Sequence, residues 1–422
     1  MLVDQSKSLK MGIAAKQCLH TSDFLYLDHT FHDGSDDLDL IQATQANRED
    51  LVTSILNSDP SQRFKADSQG RTALHWATEN GYSRIAHLIL SVQTRSQGTS
   101  DTGTLAKDCL LLLLDAQDER GQTALHVACN MRREDLASLY ISLKASVNVS
   151  DHSGNTALHR AVRMNQETIA LMLCELGADV NAVNELLWTP LHEAARTGNE
   201  SIMAELIRRG SKLDAMTHNK MTPFLTAFFY YKIASRGSAY SNLESVWKTL
   251  VEAGCKLSQT DGHWTPLTAA LSCDSSFIAA ILLFNGCRVD KSGRWGRGIL
   301  QDAFSCSEPM IVKLLVLLGY IPTPDEVSHC SKQIPMYSRV FTRLRGLGSS
   351  LHRDRQEVVR WLRERREAPP SLGECCRVSI RAAMNSATED RSILANFKFL
   401  PIPVKLQQFL AMSDFTHYLV DG

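Results

Sequence analysis

Thr123-Ala124-Leu125-His126, Thr156-Ala157-Leu158-His159 and Thr189-Pro190-Leu191-His192 follow one another at intervals of 33 residues. Thr72-Ala73-Leu74-His75 is a fourth copy, 51 residues before the first of these, which is the same period lengthened by 18. Weaker copies continue the series. Thr222-Pro223-Phe224-Leu225 keeps the 33-residue step, and Thr265-Pro266-Leu267-Thr268 follows after 43. One more period leads to Gly298-Ile299-Leu300, a degenerate last unit. A period of this length is the signature of one supersecondary unit repeated along the chain, each copy burying its apolar face on the next.

The residues around each tetrapeptide describe a helix pair. Gly70, Gly121 and Gly154 stand two positions before the threonine, where a tight turn needs a residue free of Cβ. Threonine then caps a helix, and Ala or Pro follows at the first helical position, where a missing N–H does no harm. Leu74, Leu125, Leu158 and Leu191 pack that first helix, with Ala77, Ala128, Ala161 and Ala194 small enough for neighbouring units to approach. The second helix ends in Leu173-Cys174-Glu175-Leu176-Gly177, and Leu206 with Gly210, Leu250 with Gly254, Leu282 with Gly286, and Leu315 with Gly319 repeat that ending. Glycine there supplies the left-handed cap. The period and the tetrapeptide resemble the ankyrin repeat across residues 36–320.

The expected fold is therefore all-α, an ankyrin-repeat solenoid with a small helical domain behind it. Residues 1–35 lack periodicity and read as a flexible N-terminal segment. The array at 36–320 holds about seven units, with insertions near 91–108 and 233–243. It opens with two short helices separated near Asn47, and Ser91 to Gly103 reads as a solvated loop. Residues 321–368 form a helical connector, with an outer helix at Pro324 to Cys330 and an Arg-rich helix from Leu351 to Glu367 whose apolar side is Val358, Val359 and Leu362. A compact tail occupies 369–411, and 412–422 is a C-terminal extension.

Composition narrows the function. With 45 Lys and Arg against 46 Asp and Glu, no global field favours nucleic acid or anionic lipid. The 11 cysteines include no Cys-x-x-Cys pair, and no signal peptide is evident, which points to a reducing compartment. Leu110 to Leu114 is too short to span a bilayer. No phosphate-binding loop, nucleophile elbow or His-Glu-x-x-His motif occurs, so neither a catalytic residue nor a cofactor nor a metal is expected. His75, His126, His159 and His192 recur with the repeat and read as structural. Cys129, Cys174, Cys255, Cys273 and Cys287 take small apolar positions and read as core. Arg353, Arg355, Arg360, Arg363, Arg365 and Arg366 interleave with acids, the pattern of a salt-bridged solvated face.

What remains is a binding surface. The residue before each repeat threonine is expected on a projecting finger: Arg71, Gln122 and Asn155 first, then Trp188, Met221 and Trp264, then Arg297. Trp188, Met221, Trp264 and Trp295, with Phe229 and Tyr230 on an inner helix, are the candidate substrate-binding residues, because aromatic and Met side chains anchor interfaces. The competing reading is a finger tryptophan that only covers its neighbour's backbone.

The tail reads Pro370-Ser371-Leu372-Gly373-Glu374-Cys375-Cys376-Arg377-Val378-Ser379-Ile380-Arg381, then Leu400-Pro401-Ile402-Pro403-Val404-Lys405-Leu406-Gln407-Gln408-Phe409-Leu410. Leu372, Cys376 and Ile380 share one face of a short helix. The prolines hold an extended approach to a last helix carrying Leu406 and Phe409. The first half resembles the Elongin-binding box of a SOCS box, and the second its Cullin-5 box. Phe409 departs from the tyrosine many members carry, and the polar stretch Asn385 to Arg391 leaves the middle helix weakly defined. The chain as a whole resembles the ankyrin repeat and SOCS box family. That resemblance implies a non-catalytic subunit of a ubiquitin ligase, cytoplasmic with the nucleus as a second compartment. Elongin C would bind Leu372, Cys376 and Ile380, with Elongin B alongside. Cullin-5 and its RING-box subunit would meet Leu400, Pro401, Ile402, Pro403, Leu406 and Phe409, and a protein substrate would lie on the repeats. The alternatives are an ankyrin scaffold without a ligase role, whose last helices only cap the stack, and an enzyme with a hidden site.

Overall fold

The computed structural model of the protein describes residues 39–91, 102–234, 243–258, 264–273, 275–287, 289, 298–305, 310–318, 320–341, 348–367 and 378–380. These form helices, and the extended pairing among them is limited to isolated bridges such as Ala66 with Thr72 and Ser150 with Thr156. The chain divides into two compact units, residues 1–193 and 194–422.

In the first unit, α1 (Leu40–Gln45) pairs with α2 (Glu49–Ser58), and α3 (Ala73–Asn80) with α4 (Ser83–Leu90). After α5 (Thr102–Leu114) come α6 (Ala124–Asn130) paired with α7 (Glu134–Ser142), and α8 (Ala157–Arg163) paired with α9 (Glu167–Glu175). The pairs stack in register. The first helices α1, α3, α6 and α8 pack in sequence, and so do the second helices α2, α4, α7 and α9. The core is the expected one: Leu74, Leu125, Leu158, Ala77, Ala128 and Ala161 are buried. Between layers, the Tyr140 hydroxyl meets the Thr78 hydroxyl at 2.6 Å, inside the stack. Thr102 and Gly103, expected in a loop, belong to α5, because Leu113 and Leu114 at its far end bury themselves and draw the preceding residues into a helix.

The helix α10 (Pro190–Thr197) spans the division between the units. The second unit continues with α11 (Glu200–Arg208), then the pairs α12 (Pro223–Ala234) with α13 (Leu243–Glu252), α14 (Pro266–Ser272) with α15 (Ser276–Phe284), and α16 (Ile299–Ser305) with α17 (Met310–Leu317). Trp247 is fully buried, its ring stacked on Phe224 at 5.0 Å and its Nε1 donating to the Phe224 carbonyl at 3.1 Å. Gly298 opens α16 where the period placed a last unit.

The rhythm does not stop there. The connector forms a further helix pair, α18 (Pro324–Phe341) with α19 (Gly348–Glu367), and it stacks in the same register, α18 on α16 and α19 on α17. The helix expected to end at Cys330 therefore runs on to Phe341. Its start explains why: Thr323-Pro324 repeats the Thr-Pro opening of earlier units, and Glu326 closes a capping box. Glu326 accepts the Thr323 backbone N–H at 2.8 Å, and its own N–H donates to Thr323 Oγ1 at 3.3 Å. The Tyr320 hydroxyl adds a 2.5 Å bond to the same carboxylate. On α19, Val358, Val359 and Leu362 are buried as expected. Arg355, expected on a solvated face, is buried instead, with Nε donating to the Phe304 carbonyl at 3.3 Å and the guanidinium 5.9 Å from that ring. Glu357 does hold a surface ion pair, with Lys313 at 2.9 Å.

Candidate partner-binding surface

Each finger is built by its own first residue. Asp67 Oδ1 accepts the N–H groups of Gln69 and Arg71 at 2.8 and 2.9 Å, and Asp151 Oδ1 accepts those of Ser153 and Asn155 at 3.0 and 2.8 Å. Asn184 does the same for Leu186 and Trp188 at 3.0 and 2.9 Å. Gly70, Gly121 and Gly154 take the left-handed turn, with φ of 72, 72 and 77°. Leu187 and Lys220 hold the equivalent positions at 57 and 56° despite their side chains.

The repeated histidines lock finger to finger. His75, His126 and His159 accept the backbone N–H of their own Thr at Nδ1, each at 3.2 Å. Nδ1 is therefore the acceptor, and the Nε2 proton donates to the carbonyl of the next finger: Gln122 at 3.0 Å, Asn155 at 3.1 Å and Trp188 at 3.1 Å. His192 makes the same bond to Thr189 at 3.1 Å. Burial is the leading cause that holds the pKa of His75, His126 and His159 below the ordinary histidine value, so the rings stay neutral. Their role is structural. Cys129, Cys174, Cys255 and Cys287 are buried and Cys273 is half-buried. Burial alone raises the Cys129 thiol to about 12, far from a nucleophile's range. Among the described residues no cluster of three or more metal-ligating side chains occurs, and no helix is long and apolar enough to cross a membrane.

The finger residues are not uniformly open. Asn155 is buried, and its side-chain oxygen accepts from Asn184 at 3.1 Å. Trp188 is half-buried, its ring 6.0 Å from that of His192. It does not stand alone: Leu186 is 60% exposed and Leu187 39%, so the finger tip is a run of three apolar residues. The sequence carried that signal, since Arg120 and Ser153 occupy the matching tips of earlier fingers.

In the second unit, Met221 is half-buried and its carbonyl accepts from the Thr217 N–H at 3.0 Å. Trp264 rests on Phe228 at 4.9 Å, so it covers its neighbour's helix. Phe229 lies 47% exposed on α12, edge-on to Tyr230 at 5.6 Å, and Arg196 approaches the Tyr230 ring at 5.7 Å. Trp295 lies outside the described residues, as do Leu372, Cys376, Leu400, Pro401, Ile402, Pro403, Leu406 and Phe409. Of the three residues expected to meet Elongin C, Ile380 is described. It lies in the helical residues 378–380 and is exposed.

Comparison with known proteins agrees with the repeat. An ankyrin repeat model matches residues 69–94, a three-copy ankyrin repeat model matches 103–184, and a many-copy ankyrin repeat model matches 165–207. A search of curated proteins finds none that matches the chain. The chain is an all-α ankyrin-repeat solenoid, an architecture that acts as a protein-binding scaffold.

Proposed function

We propose that this scaffold is the substrate-recognition subunit of a Cullin-5 ubiquitin ligase. Its repeats hold a target protein, and residues 369–411 dock Elongin C and Elongin B, then Cullin-5 with its RING-box subunit. The observation that carries the reading is the order of the two tail motifs. Leu372, Cys376 and Ile380 come first and Leu400-Pro401-Ile402-Pro403 second, both after ankyrin repeats. Leu372 would fill a pocket on Elongin C, with Cys376 and Ile380 behind it. Burying one such leucine contributes roughly 1.5–3 kcal/mol. The exposure of Ile380, 39%, supports this. Ubiquitin would be transferred by an associated conjugating enzyme, so this subunit contributes proximity and no chemical group. Such a role belongs in the cytoplasm or nucleus.

The experiment is co-purification with Elongin C. Wild type should retain it, and Leu372→Asp should lose it while Phe229→Ala, on the repeats, does not. A wild-type chain that captures no Elongin C, or a Leu372→Asp chain that captures it normally, leaves a plain ankyrin scaffold as the function.

A further inference from the structure

Between the first two tetrapeptide repeats lies a cavity of about 330 Å³, lined by Asp118 with Arg71, Glu79, Val127, Asn130 and Met131. Asp118 is only 9% exposed and opens the second finger just as Asp67 and Asp151 open theirs. Its Oδ1 accepts the N–H groups of Arg120 and Gln122 at 2.9 and 2.8 Å. The second oxygen is where the three fingers differ. Asp67 Oδ2 accepts Trp76 Nε1 at 2.9 Å, and Asp151 Oδ2 accepts Arg160 Nη2 at 2.5 Å. Both donors stand four positions after the repeat threonine. The residue there in the second repeat is Val127, which has no proton to give, and the bonds that Asp118 accepts from Arg120 and Gln122 both go to Oδ1.

An ionised carboxylate is acceptor-only, so an oxygen that opens on the cavity can take a donor from outside. Arg71 does not supply it. That guanidinium is bonded to Glu79 at 2.6 Å and lies 3.7 Å over the Trp76 ring. Three carboxylates, Glu79, Asp118 and Glu119, outnumber the guanidinium groups of Arg71 and Arg120 around the cavity, while Val127 and exposed Met131 offer an apolar wall to an aliphatic stem. We propose that this cavity accepts a cationic side chain, an arginine or lysine, from the captured protein, which takes the place that Arg160 fills in the next repeat. The proposal rests on the protein-binding reading of the repeats and needs no ligase role.

The test uses the full-length chain, immobilised, and a phage-displayed library of random peptides. Enriched peptides should share one Arg or Lys. A synthetic copy with citrulline for that Arg, or norleucine for that Lys, should bind at least about tenfold more weakly, the weight of one charge-assisted hydrogen bond. Two variants keep the fold and alter the site. Val127→Arg adopts the residue the next repeat uses and should fill the cavity from within. Asp118→Asn keeps the finger-building oxygen, as Asn184 does in its own finger. Both should weaken the peptide at least about tenfold with unchanged helical circular dichroism. The proposal fails if no peptide is enriched, if enriched peptides share no basic residue, if the neutral analogue binds as well, or if Val127→Arg binds like wild type. The readout involves no Elongin, so this result and that of the Elongin test stand apart.

Discussion

Mild acid should loosen the first unit through its histidines. His75, His126 and His159 are each 1% exposed. Each is neutral, with Nδ1 accepting a threonine N–H and Nε2 donating to the next finger. Protonation at Nδ1 would turn that acceptor into a donor facing a donor. Burial, the largest cause, already places their pKa values below 6.5, although the partner carbonyls and nearby carboxylates oppose it. Between the folded values and 6.5 the unfolded chain therefore holds protons that the native chain refuses. Stability is full above the unfolded value and falls as the pH drops through that window. One such group changes stability by at most about 1.4 kcal/mol per pH unit, so three reach about 4 kcal/mol per unit. Asp67 and Asp151, held below the usual carboxylate range, act only at lower pH and do not mask the slope. Urea titrations followed by circular dichroism at several pH values between about 7.5 and 5 measure it. His126→Gln is the diagnostic variant, since glutamine at the third helical position can still close a capping box. It should reduce the limiting slope by about a third, to about 2.7 kcal/mol per unit. A first unfolding transition that is flat across this range, or a slope unchanged in His126→Gln, would refute the neutral-ring reasoning.

Further outcomes follow from packing. Trp247→Ala removes a fully buried ring stacked on Phe224 and should destabilise the second unit by about 3–5 kcal/mol in chemical denaturation. Gly154→Ala should cost at least about 1 kcal/mol, because φ is 77° and the new Cβ would lie 2.8 Å from Asn184 Cα. Thr78 donates to the Leu74 carbonyl at 2.6 Å, which makes Tyr140 the donor in their shared bond. Thr78→Val strands that buried O–H and should cost about 1–3 kcal/mol, while Tyr140→Phe should cost only about 0.5–1.5 in the same assay. The reverse order would overturn the donor assignment.

Legibility in the sequence tracked periodicity. The 33-residue step from Thr123 to Thr222 revealed helix pairs, their capping threonines and their buried leucines before any coordinate. It failed where packing, rather than local pattern, decides. Arg355 sits in a run of alternating charges, and its Phe304 partner is 51 residues away in sequence. The period assigns Leu186 and Leu187 no role, and the finger turn set by Asn184 leaves them exposed. Thr323-Pro324 was readable as another repeat opening, yet the aberrant spacing after Gly298 hid it.

By itself the sequence determined the repeat, its caps, the structural role of the histidines and the two tail motifs on which the proposed partners rest. These depend on residues near one another in the chain or on a strict period, so local chemistry suffices. Only the tertiary structure decided that α18 and α19 extend the stack and that Trp264 covers Phe228. It alone decided that Asp118 lines a cavity between two repeats. Each of those outcomes depends on which side chain from another helix or finger arrives within about 3–5 Å, and no periodicity of the chain encodes that distance.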